Sequence, residues 1–458
     1  ELLDNLIPAI IIVVLLYIPA LVLAAVAVSK KRRLSEMFVR RERKRAGITV
    51  IAGILSLVAA YLFDARYELK SDLYPANVCY NIALAFQRTA QTQHYAETSK
   101  DFTFQAKTTR PEKNREVYVM VIGETSRAAN WSIYGYNRNT NPELTKIKGL
   151  TAFSHVLTES NTTHKSVPML MSSVTAHDFN SIYRQKGIIT AFKEAGYRTA
   201  FFSNQRYNHS FIDFFGKEAD ICDFIKEDAG DGSYNPSDDE LLKLVAAELA
   251  ENASKQFIVL HTYGSHFNYR ERYPADHAFF LPDFPVDAEL KYKDNLINAY
   301  DNSIRYTDNF LARLIRMLQE QDIDAAMLYT SDHGEDIFDD DRHLFLHASP
   351  VPSYYQIHVP FLIWMSDNYR KNYPDLFKNA EINRQKNISS SASFFQTMLE
   401  LGGIDTPSRN DSLSVINASY TEKNRVYLND HNEARSLNDI GMREEDFTML
   451  QTKGIVYR

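Results

Sequence analysis

Val117-Tyr118-Val119-Met120-Val121-Ile122-Gly123-Glu124-Thr125-Ser126-Arg127 is the stretch whose reading decides the fold. Six apolar residues in an unbroken run suit a strand buried on both faces, as in a parallel sheet, and the abrupt change to polar residues ends it. The same pattern recurs downstream. Short apolar runs at 199–203, 257–261, 326–330 and 359–364 alternate with stretches at 187–195, 238–251, 293–321 and 391–401, in which apolar residues return every three or four positions. Strands alternating with helices predict an α/β domain, with a mainly parallel central sheet flanked by helices, over residues 116–458.

In such sheets ligands bind beyond the carboxyl ends of the strands, so the residues just after each apolar run carry the chemistry. The first run delivers Glu124. The third leads into His261-Thr262-Tyr263-Gly264-Ser265-His266, and the fourth into Ser331-Asp332-His333-Gly334-Glu335, with His343 and His347 in the loop that follows. Glu124, Asp332, His333, His266 and His347 offer the oxygen and imidazole donors that zinc accepts. Each alone has a plain structural alternative: Asp332 as a helix cap, Glu124 as a solvated loop residue, either histidine as a packing residue. Together they are more specific than singly. No CxxC pair is present, which excludes a cysteine-based zinc site.

Asn161-Thr162-Thr163-His164-Lys165-Ser166-Val167-Pro168-Met169-Leu170 reads as a polar loop entering a helix. Backbone N–H groups at a helix start attract phosphate, and a hydroxyl there attacks phosphorus if a metal lowers its pKa. A hydroxyl at this place also commonly caps the helix, and the residues by themselves leave both readings open.

Ahead of the domain, residues 5–29 form an uncharged apolar run long enough to cross a ~30 Å hydrocarbon core. Residues 46–63 form a second run near the lower length limit, with a buried core helix as its alternative. Between them Lys30, Lys31, Arg32, Arg33, Arg40, Arg41, Arg43, Lys44 and Arg45 face only Glu36 and Glu42. Short loops this basic stay in the cytoplasm, so everything after residue 64 is expected outside it. The expected organisation is a transmembrane region at 1–64, a membrane-proximal connector at 65–115 and the catalytic domain at 116–458. Within the connector, 77–96 reads as an amphipathic helix, either on the membrane surface or simply on the protein surface. The chain starts at Glu1, and further spans are expected ahead of it.

The formal net charge is −7, and with so many cations confined to the 30–45 loop the rest is strongly acidic. That excludes a nucleic-acid-binding surface and points to membrane lipids or small molecules as partners. Cys79 and Cys222, the only two cysteines, allow at most one disulfide or two isolated thiols.

Gly123-Glu124-Thr125-Ser126-Arg127, followed by Tyr134-Gly135-Tyr136-Asn137-Arg138-Asn139-Thr140-Asn141-Pro142, resembles the first signature of the phosphoethanolamine transferases of the alkaline phosphatase superfamily. The Thr163 to Pro168 stretch, Gly264-Ser265-His266, Ser331-Asp332-His333-Gly334-Glu335 and Phe345-Leu346-His347 resemble the later signatures in the same order. The resemblance implies an alkaline phosphatase-like sandwich preceded by transmembrane helices in a bacterial inner membrane, with the catalytic domain in the periplasm. It also implies zinc-dependent transfer of phosphoethanolamine from phosphatidylethanolamine, through a threonine adduct, to lipid A, the lipopolysaccharide core or another envelope glycan. Carried over residue by residue, Thr163 matches the nucleophile, with Thr162 the weaker neighbour. Glu124, Asp332, His333 and the Thr163 oxygen match the zinc shell. His266 and His347 match a pair that holds the phosphate or a second zinc and can protonate a leaving oxygen. Asn204 and Gln205 follow as substrate-binding candidates, since Ser203-Asn204-Gln205 resembles the branch that modifies the lipopolysaccharide core. Family members often carry several disulfides in the soluble domain, and this chain departs from that.

Three rival readings remain. A sulfatase shares the fold and metal shell, but its modified nucleophile needs C/S-x-P-x-R, and Ser166-Val167-Pro168-Met169-Leu170 lacks the arginine. A phosphatidylglycerol-dependent glycerophosphate transferase shares the layout of spans, threonine and metal. An inactive tethered scaffold is expected to have lost ligands that are all present here.

Overall fold

The central strand β1 (Glu116–Gly123) is buried along its whole length, as an unbroken apolar run requires. Its side chains alternate between two cores: Tyr118, Met120 and Ile122 enter one, Val117, Val119 and Val121 the other. The computed structural model describes residues 36–63, 73–110, 114–226 and 235–457, together with residues 18, 19, 22, 68 and 70. Six further strands complete the sheet: β2 (Leu150–Phe153), β3 (Arg198–Ser203), β4 (Ile221–Phe224), β5 (Lys255–His261), β6 (Asp324–Ser331) and β7 (Phe361–Met365). Their order is β2-β7-β6-β1-β5-β3-β4. The pairs from β6 through β4 are parallel, and β7 runs antiparallel to both its neighbours.

Helices cover both faces, which makes a three-layer α/β sandwich of the kind expected. α3 (Thr163–Leu170), α4 (Ile188–Glu194) and α7 (Ser390–Leu401) supply Val167, Ile189, Phe192, Phe394 and Met398 to the first core. α5 (Asp239–Ala250) and α6 (Lys293–Gln319) supply Leu241, Val245, Leu296, Ile304 and Leu311 to the second. β2 and β4 were not foreseen. Both are short edge strands in which half-buried or polar side chains interrupt the apolar run: β2 alternates half-buried with buried residues, and β4 carries Cys222 and Asp223.

The chain divides into two units, Glu1–Ala83 and Leu84–Arg458. The larger one takes in the second half of the expected connector. Phe104 and Ala106 are buried in the first core, Lys107–Thr108 pairs with Ile404–Asp405, and the Arg110 guanidinium donates to the hydroxyls of Tyr118 and Tyr369 at 2.5 and 2.7 Å. The connector is therefore part of the globular unit from residue 84 on, because it contributes side chains to the core.

In the N-terminal unit, α1 (Glu36–Phe63) runs without a break through the second half of the basic stretch and the second apolar run. Residues 40–45, expected in a loop, are helical. The first expected span, 5–29, and Lys30 to Arg33 lie outside the described residues, apart from residues 18, 19 and 22. Among the described residues no helix is long and apolar enough to cross a membrane. α2 (Ala76–Gln93) forms where an amphipathic helix was expected and has no buried side chain. Cys79 and Cys222 are free thiols.

Candidate metal centre and nucleophile

The register of the sheet brings three chain segments to one edge. Gly123 pairs with Ser331, and Ile122 with His261, so β1, β6 and β5 end level and the residues after them leave the sheet together. Glu124, Asp332 and His333 meet there with donor atoms within 4.8 Å of one another. All three are at most 1% exposed. His333 Nε2 is 3.2 Å from Asp332 Oδ2 and 3.6 Å from Glu124 Oε1. Its Nδ1 is 2.9 Å from the Gly334 carbonyl and must donate to it, so Nε2 presents its lone pair to the carboxylates.

Charge in this space is unbalanced. Burial, with the charge of Asp332 next, holds the Glu124 carboxyl well above its usual range. Burial likewise pushes Asp332 up to about 6 and His333 well down. Asp332 Oδ1 accepts from the backbone N–H groups of Thr125 and His333 at 3.0 and 2.7 Å, whereas Oδ2 is buried without a donor among the described residues. Two carboxylates, an imidazole lone pair and an orphaned oxygen facing one point fit a divalent cation, and the mixed oxygen and nitrogen set suits zinc.

Thr163 opens α3 and points into this cluster. Its Oγ1 lies 3.2 Å from Glu124 Oε1 and 3.1 Å from His333 Nε2. Thr162, at the N-cap position, makes no side-chain cap bond, and its hydroxyl sits 3.2 Å from Ser160 Oγ. The two threonines are thus separated by geometry, and neither hydroxyl is spent on capping.

His266 and His347 stand beside the cluster. The His347 ring is 4.2 Å from that of His333 and 6.1 Å from that of His266, centroid to centroid. His266 Nδ1 contacts the Phe267 carbonyl at 2.6 Å, and burial pushes the ring down to about 4. His347 Nδ1 is 3.4 Å from Glu335 Oε2. Burial opposes charging this ring, but the Glu335 carboxylate outweighs it and raises the group. Gln205 also reaches the cluster, its amide donating to Glu124 Oε2 at 3.3 Å and to the Thr262 carbonyl at 3.2 Å. Asn204 does not. Its amide nitrogen donates to Asp238 Oδ1 at 2.7 Å and to the Pro236 carbonyl at 3.0 Å, so that group holds a loop instead of facing the cluster.

Sequence reasoning passed over four residues that shape the site. Glu335, quoted only as part of a motif, is fully buried and holds His347. Thr125 takes a positive φ of 60° and donates its hydroxyl to Glu124 Oε1 at 2.7 Å. Asp238 accepts from the N–H groups of Tyr263 and Gly264 at 2.8 and 2.9 Å, fixing the turn before His266. Tyr263 stacks on His266. The Asp-His-Gly-Glu spacing was a signal for Glu335, but nothing local marked the other three. The polar residues of the first signature hold position: Arg127 bonds Asp339 and Asn130, and Asn130, Tyr136 and Arg138 converge on the buried Asp301.

Residues 116–404, which carry every one of these groups, match the Sulfatase family. The chain belongs to that family. This sulfatase-family chain is 32% identical over 304 residues to the Kdo(2)-lipid A phosphoethanolamine 7''-transferase of Escherichia coli K12, covering 63% of this chain and 51% of the relative. The C-terminal periplasmic domain of EcEptC from Escherichia coli, solved in complex with Zn, matches with a TM-score of 0.66 at 24% identity, over 73% of this chain and 95% of that one. The integral membrane protein lipooligosaccharide phosphoethanolamine transferase A (EptA) from Neisseria meningitidis matches with a TM-score of 0.67 at 23% identity, over 84% of this chain and 73% of that one. At these identities the two structures establish a shared alkaline phosphatase-like fold. The chain spans about half the length of the curated relatives it matches.

Proposed function

We propose that this protein transfers phosphoethanolamine from phosphatidylethanolamine to lipid A, the lipopolysaccharide core or another envelope glycan, with Thr163 as nucleophile. The observation that carries this reading is Thr163 Oγ1, set at the start of a helix and within 3.2 Å of both Glu124 and His333. The curated relative named for transfer of the same group to Kdo(2)-lipid A supports it.

Glu124, Asp332 and His333 are the residues that would hold a zinc ion, leaving a fourth position for the Thr163 oxygen. Bound there, zinc supplies positive charge that favours the threonine alkoxide and offsets charge on the phosphoryl oxygens. Thr163 Oγ then gives up its proton to solvent and forms a bond to phosphorus as the bond from phosphorus to the diacylglycerol oxygen breaks, and that oxygen takes a proton. In the second half an acceptor hydroxyl attacks phosphorus, loses its proton, and returns the oxygen to Thr163. His347, beside Glu335, is oriented to carry a proton to the leaving oxygen. His266 donates Nδ1–H to the Phe267 carbonyl, and its Nε2, which has no hydrogen-bond partner among the described residues, can take one. The proposal extends to a multi-pass inner-membrane enzyme with its catalytic domain in the periplasm. It is supported by the two apolar runs around a basic stretch and by the likeness to an integral membrane transferase.

Incubation with phosphatidylethanolamine alone is the test. Diacylglycerol release and a phosphoethanolamine mass on the Thr163 peptide are expected. Thr163→Ala should lose both yet keep its metal, because three donors remain, while Thr162→Ala should keep activity within a few-fold. Equal activity of the two variants would exclude Thr163, and a glycerophosphate mass would turn the reading to phosphatidylglycerol as donor.

A further inference from the structure

Asn161 does more than lead into the nucleophile helix. It is buried, and both of its side-chain N–H groups and its side-chain carbonyl are engaged. The amide nitrogen donates to the Ser349 carbonyl at 2.9 Å and to Gln356 Oε1 at 2.5 Å, while Oδ1 accepts from the Tyr427 hydroxyl at 2.6 Å. The backbone carbonyl of Asn161 accepts the Ala348 N–H at 3.3 Å. Two residues before Thr163, one residue thus ties the nucleophile loop to the chain just past His347 and to the strand Val426–Leu428. That strand lies beyond residues 116–404, the stretch matched to the family.

The segment around His347 depends on such a hold. A short antiparallel ladder, Ile337 with Phe345 and Asp336 with Leu346, carries the chain up to that histidine and stops there. Leu346 and Ala348, on either side of it, take positive φ of 69° and 61°. Residues bearing a Cβ persist in the left-handed region only where the surroundings over-determine it. Here Asn161 and Gln356 do so. Gln356 Nε2 donates to the Ser349 hydroxyl oxygen at 2.9 Å and to Asp336 Oδ2 at 2.6 Å, and Asp336 Oδ1 accepts from the Ser353 hydroxyl at 2.7 Å. The 3.4 Å contact from Glu335 to His347 Nδ1 can turn the ring, but it does not place the backbone that carries it.

Thr163 and His347 both lie against His333: Thr163 Oγ1 is 3.1 Å from its Nε2, and the two imidazole centroids are 4.2 Å apart. Neither contact joins the two loops. We propose that Asn161 is a positioning residue that keeps the His347 loop in register with Thr163, so that proton carrier and nucleophile address one phosphoryl group. This rests on the transfer reading above, which gives both residues their roles. A buried and fully bonded network holds one arrangement of two loops where separate contacts would allow several.

Asn161→Asp is the variant that tests it. The change keeps the shape of the side chain and the oxygen that Tyr427 bonds, and it removes both N–H groups directed at Ser349 and Gln356. The full chain is assayed in detergent micelles, with rates taken per bound zinc. Formation of the Thr163 adduct at saturating phosphatidylethanolamine should slow roughly tenfold or more, with the donor KM changed by less than about threefold. Amide hydrogen exchange over residues 347–351 should quicken by about fivefold or more, while exchange in β1 and β6 holds. Tyr427→Phe removes one hydroxyl and leaves the Asn161 donors in place, so it should move both readouts the same way by less. A wild-type adduct rate per bound zinc in Asn161→Asp overturns the proposal, as does a slower rate with unchanged exchange over 347–351. If thermal unfolding shows that Asn161→Asp has lost its fold, Tyr427→Phe decides alone, and wild-type values in both readouts overturn the proposal. Absence of any adduct in the wild type sinks the transfer reading, and the exchange comparison then judges the hold on the loop by itself. An adduct whose rate ignores both variants sinks the positioning claim alone.

Discussion

Gly264 shows how little room the metal centre leaves around it. It adopts φ +50°, and a Cβ added there would meet the Glu124 carbonyl oxygen at 2.6 Å and the Glu124 nitrogen at 2.9 Å. Only glycine satisfies both the left-handed backbone and the close approach. Gly264→Ala is therefore expected to push Glu124 away from Asp332 and His333. Zinc content of the purified variant should fall, with about 1–3 kcal/mol lost from unfolding stability. Retained metal with unchanged stability would show that the turn relaxes without moving Glu124. At this scale the sequence was only partly legible. Glu124, Asp332 and His333 could be picked out because each follows directly on an apolar run, and a strand end is a place that sequence reveals. Asp238 and the Thr125 amide could not, since each acts through a partner that folding alone supplies: Asp332 for the Thr125 amide lies 207 residues away.

Among the elements, the start of α5 fixes the histidine loop through the residue at its N-cap position. Asp238, just ahead of that helix, accepts from two backbone N–H groups of the Tyr263–Gly264 turn and from the side-chain amide of Asn204. Hydrogen bonds to a charged acceptor are worth about 1.5–3 kcal/mol each when they cannot be replaced by water. Asp238→Ala is expected to loosen the loop and lower turnover by roughly tenfold or more, since misplacing a positioned group is costly. The candidate metal ligands just past β1 and β6 should stay in place. Turnover and zinc content measured on the same preparation would decide it, and equal loss of both would assign Asp238 a general structural role. The long elements were legible for a simple reason: β1, β5 and β6 are unbroken runs buried on both faces, and the helices α5, α6 and α7 each bury an apolar set with a period near 3.6. The short edge strands β2 and β4 escaped because many of their side chains are only half-buried and polar residues interrupt them, and the helical continuation through residues 40–45 escaped because charge density masks a helix whose apolar half lies further on.

For the whole molecule, the proposed placement of the catalytic unit outside the cytoplasm is open to direct test. A reporter fused after residue 64 should read as extracytoplasmic and one fused within 30–45 as cytoplasmic, since basic short loops are retained. The reverse pattern would remove the envelope setting. The order of the sheet has a further consequence, one of timing. β1 is flanked by β5 and β6, strands made long after it, and Thr125 bonds Asp332 across 207 residues. At about 5–20 residues per second, synthesis of that interval takes about 10–40 s. Until β5 emerges β1 lacks both neighbours, and until β6 has emerged Glu124 and Thr163 stand without Asp332 and His333. The candidate metal donor set is therefore complete only once His333 has emerged, and a chain that ends between Thr163 and Asp332 carries the proposed nucleophile without two of the donors proposed to activate it.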